Sequence, residues 1–139
     1  MNVNKLCITM LMLAGAAPAL AETPQQIQAT YSAEASQVIP DFNPSAQRGR
    51  DLFVKQWNVS ANQPSCTTCH GKDMHAEGKH VVTGKTIAPL SPVVDAERFT
   101  SAKKVAKWFK RNCSEVVGRE CTAAEKADFI QFAIEGGKV

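Results

Sequence analysis

With 139 residues and a mass of 15.0 kDa, the chain suits one compact domain rather than two. Its 44% hydrophobic and 21% charged residues exclude a disordered chain, and 16 Lys+Arg against 13 Asp+Glu, a net +3, is too mild to indicate a nucleic-acid partner. Five cysteines, an odd number in so small a chain, must each be placed.

The first 21 residues read as a secretory signal. Lys5 supplies the positive start, Leu6 to Leu20 an uncharged apolar run, and Ala19-Leu20-Ala21 the small-x-small cleavage pattern. The run is about 15 residues, short of the roughly 20 that a membrane span needs, so a retained anchor is the weaker reading. Cleavage leaves residues 22–139 as the folded domain, soluble and without a membrane segment. It discards Cys7, Met1, Met10 and Met12, so Met74 is the one remaining methionine. Export to a periplasm puts Cys66, Cys69, Cys113 and Cys121 in an oxidising compartment.

The domain reads as mainly α. Thr23 to Ala35 suits a helix with Thr23 as cap and Pro24 in its first turn. Ser45 caps a second, expected to run to about Trp57 with Leu52, Phe53 and Trp57 on overlapping faces. Gly49 and Phe53 share a face there, a small residue beside a large one, which lets another helix cross closely. Residues 71–99 show no helical period and contain three glycines and two prolines. So long a structureless stretch is unusual unless it wraps something. Thr100 or Ser101 caps a helix expected to end near Cys113, with Val105, Trp108, Phe109 and Asn112 on its inward side. Thr122-Ala123-Ala124-Glu125 is a capping box for a last helix that buries Phe129, Ile130, Phe132 and Ala133 and ends at Gly136-Gly137. Few apolar residues are spread over several short helices; a large apolar cofactor would complete the core and explain the long loop together.

Cys66-Thr67-Thr68-Cys69-His70 is the attachment pattern for a c-type haem. Two thiols separated by two residues reach the two vinyl groups of one porphyrin as thioethers, and the next residue, His70, falls beneath the iron as proximal ligand. The alternatives are a thioredoxin-like redox pair, which lacks a βαβ context, and half of a zinc site, which lacks its second half. The second ring nitrogen of His70 needs an acceptor, and Ile87-Ala88-Pro89-Leu90 is a reasonable source of a carbonyl.

The ligand on the far side of the iron is less plain. Electron-carrying cytochromes place a methionine there, less often a histidine. Met74 follows His70 by only four residues and cannot easily reach the opposite haem face. His75 and His80 lie in a polar Gly/Lys stretch and read best as loop histidines. Asn112 shares a face with Val105, Trp108 and Phe109, and an amide there must be paired or costs free energy; by spacing alone it reads equally as a helix-terminal residue with a local hydrogen bond. A bridge between Cys113 and Cys121 would add roughly 2–3 kcal/mol by chain entropy and hold Asn112 from its neighbour. The other reading is two free buried thiols.

An ordered set of segments then resembles the sphaeroides haem protein family, monohaem class I c-type cytochromes, over most of the domain. The segments are Cys66–Gly71, Thr83–Pro92, Arg98-Phe99-Thr100, Arg111-Asn112-Cys113, Val117–Thr122 and Glu125–Asp128. The resemblance implies the class I cytochrome c fold, several short helices wrapped round one covalently attached haem c. It implies haem thioethers at Cys66 and Cys69, His70 as proximal ligand, a Cys113–Cys121 disulfide and Asn112 as distal ligand. The related methylotroph cytochrome c″ branch has histidine where this chain has Asn112.

An amide oxygen is a neutral, hard, weak donor that suits ferric better than ferrous iron. Reduction is therefore expected to release Asn112 and open a site, lined partly by Trp108 and Phe109, for a diatomic gas, oxygen or nitric oxide. The competing readings are a plain six-coordinate electron carrier through His75 or His80, and a haem enzyme converting oxygen or nitric oxide, for which no proton-donor set is evident. Lys103, Lys104, Lys107, Lys110 and Arg111 form a basic outer face that could steer an acidic redox partner or merely be solvated. The resemblance suggests a dihaem cytochrome c and, behind it, a membrane cytochrome b as electron donors.

Overall fold

The computed structural model describes residues 21–139, so the expected leader lies outside the described residues except for Ala21. Five helices and one small hairpin follow in order. They are α1 (Pro24–Ser36), α2 (Ala46–Val54), α3 (Thr67–His70), β1 (Gly78–Lys79), β2 (Thr86–Ile87), α4 (Ala102–Val116) and α5 (Ala123–Ile134). Among the described residues no helix is long and apolar enough to cross a membrane.

Each main helix starts where its side chains satisfy the first backbone donors. Thr23 and Gln26 form a reciprocal capping box on α1, and Thr122 with Glu125 does the same on α5. Ser45 and Ser101 accept from the third helical N–H of α2 and α4. α5 ends at the expected glycine pair: Gly136 (φ +99°) and Gly137 (φ +56°) donate back to Ala133 and Phe132.

α2 crosses α5 at Gly49, where a Cβ would stand 2.0 Å from the Asp128 carbonyl oxygen. Only glycine allows that approach. Asp128 is buried there and accepts from the Ser45 N–H (2.7 Å) and from Arg48 Nε (2.7 Å) and Nη2 (2.8 Å). Phe53 of α2 meets Phe129 and Phe132 of α5 at 6.0 and 5.8 Å between ring centres. Beside this contact Ile27 of α1, Val105 of α4 and Ile130 of α5 form a second buried cluster.

Two helix ends differ from expectation. α2 stops at Val54, and Lys55 turns extended (ψ 133°), so Trp57 leaves the helix face. Its backbone N–H bonds Pro64, and its ring packs on the cluster of Cys113, Val117 and Cys121. α4 continues to Val116, beyond Cys113, and closes through the Val117 and Gly118 N–H groups on the Cys113 carbonyl. The long segment 71–99 is mostly irregular, apart from β1 and β2, which pair antiparallel with Gly78 opposite Ile87.

Candidate haem site

Cys66, Cys69 and His70 leave one tight turn. The Cys69 and His70 N–H groups donate to the Cys66 carbonyl at 3.3 and 3.1 Å, and Gly71 (φ +70°) turns the chain away. Buried Ser65 ties the turn through the Thr67 and Thr68 hydroxyls at 2.7 and 3.1 Å. Cys66 and Cys69 stand three apart, on one side of the turn, and both are free and half-buried. Burial pushes the Cys66 thiol up to about 11. A thioredoxin-like pair needs a stabilised thiolate, so the redox-pair reading fails on chemistry. His70 is held down to about 4 by burial, with the charges of Arg98 and His80 adding. Its imidazole is neutral at pH 7 and able to bind a metal ion.

The hairpin covers this turn. A Cβ on Gly78 would stand 2.4 Å from the Cys69 carbonyl oxygen and 3.1 Å from the His70 Cα, so β1 lies directly on α3. The Ala88 and Pro89 carbonyls, expected to serve His70, accept instead from Arg98, through Nη2 at 2.6 Å and Nε at 2.5 Å. Each carbonyl has a second lone pair, and no hydrogen bond from His70 to either is present among the described residues.

Two of the candidate sixth ligands, Met74 and His80, are engaged elsewhere. Met74 is buried in the core with Phe53, Phe132 and Ala133. Its carbonyl accepts from Leu90 and Ser91, and its N–H donates to Gly137. Among the described residues it is the one methionine, and its sulfur belongs to the packing. His80 accepts at Nδ1 from the Val82 and Thr83 N–H groups at 3.2 and 3.3 Å. A neutral ring so held carries its proton on Nε2 and offers no lone pair there. His75 is half-buried, with Nδ1 3.7 Å from Asp73 and Nε2 enclosed near Gly136.

α4 divides the expected distal residues. Val105 and Phe109 face the helical core; the Phe109 ring meets Tyr31 and Phe129 edge-on at 5.9 and 5.5 Å. Phe109 is half-buried and packs on the helical core. Trp108 is 50% exposed with Arg111 over its ring at 5.7 Å, and Asn112 is exposed. Because α4 runs on to Val116, Asn112 is not at the helix end, and no hydrogen bond engages its amide among the described residues. The helix-terminal reading of Asn112 therefore fails, as does its inward placement among protein atoms. Its neighbour Cys113 is bridged to Cys121, Cα to Cα 5.6 Å. Sequence reasoning missed two contributors, Gly78 and Arg98. Glycine in a loop carries many roles, but Arg98 three residues after Asp95 was a visible sign of an ion pair, now at 3.0 Å.

Two free thiols beside a neutral imidazole on one turn, closely covered on one side, fit a covalently attached porphyrin. Cys66 and Cys69 would hold the vinyl groups and His70 the iron. The fold and this turn define a c-type cytochrome with haem c. Residues 40–133 match the family model described as Domain of unknown function (DUF1924). The chain is 43% identical over 131 residues to cytochrome c-type protein SHP of Cereibacter sphaeroides, covering 94% of this chain and 97% of that one. It is 36% identical over 92 residues to cytochrome c″ of Methylophilus methylotrophus, 66% of this chain and 64% of the relative. Among solved structures it is similar to oxidized SHP, an oxygen-binding cytochrome c (TM-score 0.74, 42% identity, 81% and 96% covered). It is also similar to oxidized cytochrome c″ (TM-score 0.75, 31% identity, 83% and 95% covered). The chain belongs to the sphaeroides haem protein family of c-type cytochromes.

Proposed function

We propose that residues 1–21 export this chain to the periplasm, that His70 and Asn112 would hold the iron of haem c in its ferric state, and that on reduction by a cytochrome partner Asn112 would let go so that oxygen or nitric oxide could bind. The observation that carries the reading is Met74 sealed in the core, while the Asn112 amide has no hydrogen-bond partner among the described residues and stands beside a disulfide anchor. The oxygen-binding character of the similar SHP structure supports a gas as ligand. Haem c, when bound, would supply a redox-active iron.

Each residue has one task in this account. Cys66 and Cys69 keep the cofactor attached. His70, neutral by burial, would hold the iron. Asn112 would offer a neutral amide oxygen, a weak donor that suits ferric better than ferrous iron. The Cys113–Cys121 bridge keeps Asn112 within return distance once it lets go, and Trp108, one turn earlier, stands beside it. Lys103, Lys104, Lys107, Lys110 and Arg111 are all exposed on α4 and suit an acidic redox partner such as a dihaem cytochrome c fed by a membrane cytochrome b.

Replacing the candidate ligands separately tests the reading. Asn112→Ala alters the ferric optical spectrum, and His80→Ala leaves it unchanged. The reverse pattern overturns Asn112 as ligand and favours a plain six-coordinate carrier.

A further inference from the structure

Arg98 is tied down more thoroughly than a surface arginine. Its Nε donates to the Pro89 carbonyl at 2.5 Å and its Nη2 to the Ala88 carbonyl at 2.6 Å, while Asp95 Oδ2 lies 3.0 Å from the same Nε. The arginine side chain is 28% exposed. The two carbonyls follow β2 directly, and β2 pairs with the strand whose Gly78 lies on Cys69 and His70.

We propose that Arg98 is a positioning residue for the proximal ligand: it fixes the Ala88–Pro89 carbonyls beside the His70 turn and sets the reduction potential of the iron upward. This rests on His70 being the proximal ligand. Two effects act in the same direction. A cation fixed beside the His70 turn would favour the ferrous state of an iron held there, whose charge is lower. A carbonyl already accepting a charge-assisted bond from arginine is a poorer acceptor for the His70 N–H, so the imidazole is a less electron-rich donor. Asp95 opposes the first effect by partly neutralising the cation.

The test is a spectroelectrochemical titration of the haem-loaded protein with the resonance Raman iron–histidine band of the reduced form as second readout. Arg98→Gln lowers the potential and raises the band frequency. Arg98→Lys keeps the charge but not the paired bonds to two carbonyls, and falls between Gln and the parent. Asp95→Asn raises the potential; it keeps the side-chain shape and removes the counter-charge. Opposite shifts for Arg98→Gln and Asp95→Asn support the proposal. Shifts of the same sign, or a lowered melting temperature with an unmoved potential and band, overturn it, because loosened packing explains both. Should Arg98→Gln fail to load haem, the sign of the Asp95→Asn shift decides. Absence of an iron–histidine band in the parent, or its survival in His70→Gly, contradicts His70 as ligand, a failure distinct from that of Arg98.

Discussion

The turn carrying His70 and the helix carrying Asn112 are built to opposite standards. His70 is half-buried, is covered by β1 through Gly78, and follows two free cysteines on the same turn. Asn112 projects from an exposed strip of α4, with no protein hydrogen bond on its amide and one anchor, the disulfide of the next residue. Held ligands stay; a ligand restrained only through its neighbour can leave and return. The asymmetry is the one that the proposed function requires, a lasting His70 ligand and an Asn112 that can let go.

The largest expected effect comes from the fixed side. The double substitution Cys66→Ser/Cys69→Ser abolishes covalent haem, read as loss of haem signal from the protein band on a denaturing gel. Met74→Ala removes a fully buried side chain and costs about 2–5 kcal/mol in denaturant unfolding, yet leaves the ferric spectrum unchanged. A spectral change there makes Met74 a ligand and erases the contrast.

Cutting the distal anchor is expected to be milder. Cys113→Ala/Cys121→Ala lowers stability by roughly 2–3 kcal/mol and slows the return of Asn112 after reoxidation, followed by stopped-flow absorbance. Equal kinetics with and without the bridge removes its tethering role.

The smallest effect lies in the loop between the two cysteines. The Arg119 guanidinium holds the Glu125 carboxyl below the usual range, at 2.6 and 2.7 Å, against an opposing push from burial. A depressed folded value means the stabilisation is fully present above the unfolded pKa and is lost as pH falls through the folded one. Stability therefore declines below about pH 4.5, the ordinary value, and Glu125→Gln flattens that decline. A variant whose acid limb matches the parent contradicts this assignment.

Much of the helical frame was legible because its signals are local. Thr23, Ser45 and Ser101 cap their own first turns; Thr122 with Glu125 and the Gly136-Gly137 pair bracket α5 within one segment. Gly49 beside Phe53 announced the α2–α5 crossing. The Cys66–His70 motif was legible for the same reason. What sequence could not place depended on distant partners: Trp57 leaves α2 for a disulfide formed some sixty residues on, and Phe109 turns to Tyr31 and Phe129. The role of Arg98 follows from a hairpin folded back onto α3, which no periodicity encodes.

The most direct measurement is the optical spectrum of the protein in both redox states, with and without carbon monoxide. The account predicts that the reduced protein takes up carbon monoxide readily, with a shifted Soret band, while the oxidised spectrum is unmoved. A reduced spectrum indifferent to the gas means the distal side stays closed, and contradicts redox-linked release of Asn112.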